Sequence, residues 1–273
     1  MPARTSLERK EKKVGIIKKV KTPSRWPNGL LEGERVFILH GWAYSTEKWQ
    51  PFVNLLKQKG INSTILKIPG LTEKIDRTWT IDDYINWLKN EIDKEKGKVM
   101  LIGHSNGGRI AISLAVRYPN MLSHLILIDA AGVYHNDLAI RFKRFMFKKI
   151  VKTSKKLSSS ERLKSLLYKI VGESDYKNAT LIMKQTMVNL INSDKNVFGN
   201  LDKIKVPTLI VWGREDRITP LSDGKLMHKL IKNSKLYVVK EARHSPHYTH
   251  AEEVANLISE YLKTQIAKLK YTS

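Results

Sequence analysis

One pentapeptide constrains this chain more than any other stretch: Gly103-His104-Ser105-Asn106-Gly107, which reads G-x-S-x-G. Five such residues occur often by chance, so their setting carries the argument. Before them runs Lys98-Val99-Met100-Leu101-Ile102, a short apolar run of strand type. After them, Gly108 to Tyr118 is rich in Ala and Leu, apolar on one side, and closed by Pro119, which predicts a helix. Strand, sharp turn and helix together make the pattern a candidate elbow that lifts the Ser105 hydroxyl above a sheet. Gly103 and Gly107 let the backbone fold back without a side-chain clash, and His104 completes the turn. The following helix points free N–H groups and a partial positive charge toward an anion forming beside Ser105.

The rest of the chain alternates strands with helices. Arg35 to Leu39 is a buried strand type ending in His40-Gly41-Trp42, where Gly41 allows the chain to turn outward. The Trp42 backbone N–H is the first candidate oxyanion donor, and the Asn106 backbone N–H, next to Ser105, is the second. Trp49 to Lys59 predicts a helix stopped by Gly60. A strand is expected over Asn62 to Ile68, then a turn at Pro69-Gly70. Ile81, Tyr84, Ile85 and Leu88 have helical spacing, with Thr80 as N-cap. Another strand is expected over His124 to Ile128. Strands resume at Val206 to Trp212 and Lys235 to Lys240, separated by a helix over 221–231 and followed by a last helix from Ala251 to Lys263. Strands alternating with helices through short loops imply a mostly parallel, doubly wound α/β sheet. Between Val133 and Asn200 the pattern breaks into helices only, which reads as a cap insertion over the carboxyl edge of the sheet. The expected organisation is therefore a basic, partly disordered segment 1–29, a core of 30–132 and 201–273, and a helical cap of 133–200.

A serine hydroxyl is a poor nucleophile at neutral pH. It needs a base to take its proton, and the base needs an acid to fix its tautomer and stabilise its charge. His244, in the first turn after the last strand, is the candidate base; His247 and His250 are rivals expected nearer the rim. Asp216, four residues past Trp212, is the candidate acid, with Glu215 and Asp223 as rivals. Each of the three lies after an expected strand, where ligands bind in such sheets. Neither a phosphate loop nor a cluster of metal ligands is evident in the sequence. His244, His247 and His250 recur at three-residue spacing, but Pro246 and the role of His244 as base argue against a metal site, so neither cofactor nor metal is expected.

His40-Gly41-Trp42, Gly103-His104-Ser105-Asn106-Gly107-Gly108, Trp212-Gly213-Arg214-Glu215-Asp216 and His244-Ser245-Pro246-His247 resemble the four signature loops of the α/β-hydrolase superfamily. The likeness covers about residues 30–132 and 201–265. It implies Ser105 as nucleophile, Asp216 as acid, His244 as base and 133–200 as cap. The implied chemistry is acyl transfer on a small-molecule acyl substrate, most simply a carboxylic ester. A serine nucleophile argues against the haloalkane dehalogenases and epoxide hydrolases of the superfamily. Carbon–carbon bond hydrolases, thioesterases and cofactor-free perhydrolases share the same loops, and a non-catalytic ligand-binding module is the alternative from another class.

Charge adds one further expectation. Residues 1–25 hold nine Lys or Arg against two acids, and residues 135–170 hold eleven against two. Arg141, Lys143, Arg144, Lys148, Lys149 and Lys152 surround an apolar stripe of Leu138, Phe142, Phe145 and Met146. Such a helix suits an anionic membrane surface better than nucleic acid, for which no base-reading motif is evident. No apolar run reaches the ~18–20 residues of a membrane span, and none follows the basic N-terminus, so a cytoplasmic protein is expected. With no cysteine, disulfides and thiol catalysis are excluded.

Overall fold

Strand β1 (Arg35–Leu39) pairs with β2 (Ser63–Ile65) on one side and β3 (Val99–His104) on the other. β4 (Leu122–Ile128), β5 (Thr208–Gly213) and β6 (Ser234–Val239) extend the sheet, giving the order β2-β1-β3-β4-β5-β6 with every pairing parallel. The computed structural model describes residues 35–43, 45–134 and 179–272. The expected N-terminal segment and residues 135–178 of the expected insertion, with the basic residues around Phe142, lie outside the described residues.

Among the described residues the α-helices are α1 (Gln50–Gln58), α2 (Ile81–Ile92), α3 (Asn106–Arg117), α4 (Leu181–Phe198), α5 (Leu221–Leu230), the single turn α6 (Pro246–Thr249) and α7 (Ala251–Thr272). The sheet is covered on both faces, as parallel sheets require, and the strand alternation sorts the core in two. Val36, Ile38, Met100, Ile102, Ile126, Ile128, Leu209 and Val211 pack toward α1 and α7, against Trp49, Phe52, Leu56, Val254, Ile258 and Tyr261. Phe37, Leu39, Leu101, Leu125, Leu127, Ile210 and Trp212 face the other way, toward α2, α3, α4 and α5. Burying each such side chain contributes about 1.5–3 kcal/mol. α3 is buried over its first ten residues because the sheet covers one side and α2 and α4 the other.

Two local departures from the sequence reading have simple causes. The strand expected over Asn62 to Ile68 pairs only at Ser63–Ile65. Among the described residues β2 is at the sheet edge; the Leu66 amide still reaches the Ile38 carbonyl at 3.0 Å, and then Leu66 and Ile68 turn into the core ahead of Pro69 and the left-handed Gly70. The last helix runs on to Thr272, past the expected Lys263. Thr80 caps α2 as expected. Its Oγ1 accepts from the Asp83 amide at 3.3 Å while Asp83 Oδ2 accepts from the Thr80 amide at 2.7 Å, a reciprocal box worth about 1 kcal/mol. α4 is one helix of the expected insertion. Met183, Met187 and Leu190 enter the same core layer as α2 and α3.

The winding fixes where a site can form. From β1 the chain moves outward to β2, then returns to β3 on the opposite side of β1 and continues through β4, β5 and β6. The direction of winding therefore reverses between β1 and β3, and a crevice opens beyond their carboxyl ends. His40-Gly41-Trp42 leaves β1 there, and Ser105 leaves β3 there.

Candidate active site

Ser105 sits between β3 and α3 with φ 51° and ψ −119°, a conformation costly for a residue with a side chain. Its surroundings hold it there. The Ser105 amide donates to the Ile128 carbonyl at 3.2 Å, and its carbonyl accepts from the amides of Ala131 at 2.9 Å and Arg109 at 3.2 Å. The turn also depends on missing side chains. A Cβ at Gly107 would lie 2.2 Å from the Leu39 carbonyl oxygen, and one at Gly103 would lie 2.8 Å from the Gly108 Cα.

This turn presents the Ser105 hydroxyl to His244. Ser105 Oγ lies 3.0 Å from His244 Nε2, and His244 Nδ1 lies 2.8 Å from Asp216 Oδ2. The loop after β5 fixes Asp216 through its own backbone. Oδ1 accepts from the amides of Ile218 at 2.8 Å and Thr219 at 3.1 Å, and the Thr219 hydroxyl donates to Oδ2 at 2.7 Å. Burial works against ionisation of Asp216. The hydrogen bonds from His244, Thr219 and Ile218 outweigh it and hold the carboxyl below its usual range. The ionised carboxylate accepts the Nδ1 proton, so Nε2 is left free to accept from Ser105.

The structure thus brings together Ser105, His244 and Asp216, from loops 139 and 28 residues apart in sequence. It separates the rivals from them. Glu215 is exposed. Asp223 lies in α5, its Oδ1 3.3 Å from the Ser222 hydroxyl. His250 caps the end of α6, with Nδ1 2.9 Å from Thr249 Oγ1. His247 corrects the expectation of a rim position. It is fully buried, its ring stacked on Trp49 at 4.1 Å and beside His104 at 4.3 Å and Tyr248 at 4.0 Å. Neither ring nitrogen has a hydrogen-bond partner among the described residues. Pro246 starts α6 directly after the His244 loop, and that turn drives His247 inward.

The expected oxyanion side is close-packed against the serine. A Cβ on Gly41 would meet Ser105 Cβ at 3.1 Å and His104 Nδ1 at 2.9 Å, so the His40-Gly41-Trp42 turn lies hard against the elbow. Asn106 is the first residue of α3, so its backbone N–H has no intrahelical acceptor. His40 is buried, with Nδ1–H donating to the Gly41 carbonyl at 2.8 Å and Nε2 3.3 Å from Thr72 Oγ1. Burial lowers its basicity, and the bond to Gly41 offsets only part of that. His104 braces the base from behind, its Nε2–H 2.8 Å from the His244 carbonyl. Burial, and then the neighbouring His244, push its titration down to about 3.

Three groups were missed from the sequence. Thr219 supports Asp216, and a Thr three residues after a loop Asp was the available signal. Asp129 ends β4 in a left-handed conformation (φ 41°) and is fully buried, with Oδ1 accepting from the Gly213 amide at 2.8 Å. Burial, then the charge of Asp216, push its carboxyl up to about 8. Its signal was an acid at the end of the strand next to the elbow strand. The third is the Arg109–Asp194 pair, which joins α3 to α4 at 2.6 Å. His104, Asp129 and His244 each offer a potential metal-ligand atom within 4.8 Å of the others, although the sequence suggested no such cluster. Both His244 nitrogens and His104 Nε2 are already engaged by the hydrogen bonds described above.

A doubly wound parallel sheet with a serine elbow, and a histidine and aspartate hydrogen-bonded to it at the switch point, defines an α/β hydrolase. The particular family follows from comparison with known proteins. Residues 33–250 match the family described as serine aminopeptidase, S33, and the chain belongs to it. Among curated proteins it is 26% identical over 258 residues to the biotin biosynthesis bifunctional protein BioHC of Teredinibacter turnerae; the match covers 85% of this chain and 45% of that protein. The chain therefore spans less than half the length of that relative. It is also 26% identical over 243 residues to a pimeloyl-[acyl-carrier protein] methyl ester esterase of Legionella pneumophila, covering 85% of this chain and 96% of the relative. Among solved structures, MenH from S. aureus superposes with a TM-score of 0.66 at 20% identity, covering 87% of this chain and 96% of that one.

Proposed function

We propose that the protein is a serine hydrolase that cleaves carboxylic esters through an acyl-enzyme. The observation that carries this reading is the continuous hydrogen-bond path from Ser105 Oγ through His244 to Asp216 Oδ2, at 3.0 and 2.8 Å, in the crevice at the switch point. Ser105 Oγ attacks the carbonyl carbon while His244 Nε2 takes its proton. The backbone amides of Trp42 and Asn106 hold the oxyanion. His244 passes the proton to the leaving alkoxide, and water, activated by the same imidazole, releases the acid and frees Ser105. A relative named as a methyl ester esterase, matched over nearly its whole length, supports an ester with a small alcohol as the first substrate class. The alternative of a non-catalytic binding module gains nothing from a complete and hydrogen-bonded triad.

The test is a panel with the purified protein: p-nitrophenyl and methyl esters of rising acyl length, the matching thioesters, and aminoacyl p-nitroanilides. Turnover is expected to be highest for an ester, with a burst of alcohol release when deacylation is slow. Turnover of anilides without esters would move the assignment to peptide bonds, and turnover of neither would leave the binding module.

The basic zones at 1–25 and 135–170 support a second proposal, that the enzyme works at an anionic lipid surface from the cytoplasmic side with residues 133–200 as its cap. Each Lys or Arg near such a surface adds roughly 1 kcal/mol. Among the described residues no helix is long and apolar enough to cross a membrane. Co-sedimentation with vesicles of rising anionic fraction should increase and should weaken with salt. Absence of binding at low salt would refute it.

A further inference from the structure

A buried ion pair joins the elbow helix to α4. Arg109 Nε donates to Asp194 Oδ1 at 2.6 Å and Nη2 to Oδ2 at 3.2 Å, the two-pronged geometry that a guanidinium and a carboxylate favour. Both side chains are buried, 7% and 5% exposed. A pair of this kind is weak evidence of a stability role, because burying two charges costs about as much as their attraction returns. An apolar pair would pack α4 onto α3 as well.

The third bond of the guanidinium distinguishes this pair from simple packing. Arg109 Nη1 donates to Asn106 Oδ1 at 2.6 Å, one turn back on the same face of α3. Asn106 follows Ser105, and its amide is one of the two proposed oxyanion donors. Its side chain is buried at 3% exposure, and Nδ2 has no hydrogen-bond partner among the described residues. An orphan buried donor costs about 1–3 kcal/mol, a cost that a residue chosen for packing alone would not carry. α4 is tied down at two further points on the loop ahead of α2: Thr186 Oγ1 accepts from the Trp79 amide at 3.0 Å, and Asn189 Nδ2 donates to the Trp79 carbonyl at 3.0 Å.

We propose that Arg109 and Asp194 are positioning residues for the oxyanion site: they lock the first turn of α3 at Asn106 to the seated helix α4, so that the Asn106 amide is aimed when α4 is docked. The proposal rests on the reading of Asn106 as an oxyanion donor. An oxyanion donor acts on the transition state and little on the bound ester. Loss of its aim therefore lowers kcat and leaves KM nearly unchanged.

The experiment compares Arg109→Lys, which keeps a charge for Asp194 and loses the planar fork, with the apolar pair Arg109→Met/Asp194→Leu. Each is assayed for kcat and KM on a p-nitrophenyl ester, for affinity toward a phenylboronic acid that mimics the tetrahedral adduct, and for thermal midpoint. Both variants are expected to lose about ten- to a hundredfold in kcat, with KM within about twofold, boronate affinity falling in parallel and the pH profile unmoved. A folded variant of either kind with wild-type kcat and boronate affinity would overturn the proposal, as would a loss confined to the thermal midpoint. Ser105→Ala run alongside separates the two readings: if that variant stays active, the catalytic assignment has failed rather than the role of the pair.

Discussion

Replacing Ser105 by alanine is expected to lower ester turnover by roughly 10⁴–10⁶-fold, because the triad acts as a unit and the loss of one member removes most of what the whole supplies. The fold should survive. Alanine removes only the hydroxyl, which lies 3.0 Å from His244 Nε2, and leaves every backbone bond that holds the strained turn in place. Thermal midpoints of the two proteins should therefore agree closely, and substrate should still bind. A fluorophosphonate should label the wild type with one equivalent and the variant with none. The acyl burst should vanish along with the steady state. A variant that kept near-wild-type turnover would show that the chemistry runs through another residue, and the catalytic roles of His244 and Asp216 would fall with it.

The elbow was readable because everything it needs is local. A strand, a tight turn requiring small residues and a helix N-terminus follow one another in fewer than twenty residues. The triad was readable for a related reason: each member lies in the loop that follows a strand, and all the parallel strands end on one side. What depends on contacts distant in sequence was not readable. The Arg109–Asp194 pair spans 85 positions, and the bond from the Gly213 amide to Asp129 Oδ1 spans 84. Nothing local in the sequence pairs these residues, and only the fold supplies the partners that allow their burial. His247 was misplaced because its burial depends on Trp49, contributed by the short turn before α1 on the far side of the sequence. The alternating hydrophobicity of Asn62 to Ile68 continues past Ile65, where β2 stops pairing.

Replacing His244 by alanine is expected to cost about as much as removing Ser105, roughly 10⁴–10⁶-fold in kcat, while His247→Phe should keep turnover within a few-fold. The distance from base to nucleophile decides the first: His244 Nε2 has Ser105 Oγ at 3.0 Å, and Nδ1 has Asp216 Oδ2 at 2.8 Å. The absence of hydrogen-bond partners decides the second, since both His247 nitrogens are buried without one among the described residues. The pH dependence separates the two further. Only a neutral imidazole accepts the serine proton, so kcat/KM should rise with pH along an acid limb of unit slope. Burial holds His40, His104 and His247 below the usual histidine range, and Asp216 is held below the carboxylate range, so none of them supplies that limb. His247 should instead appear in stability. Burial, then His104 and His244, keep its folded-state titration well below that of an unfolded histidine, at about 6.5. The unfolded chain therefore takes up the proton first, and the contribution of His247 to stability is complete above that pH and lost as the pH falls. His247→Phe should accordingly melt higher than the wild type at pH 5 by a wider margin than at pH 8, with the same acid limb in its rate profile. A severe loss of activity in His247→Phe together with a mild one in His244→Ala would reverse the assignment of the base.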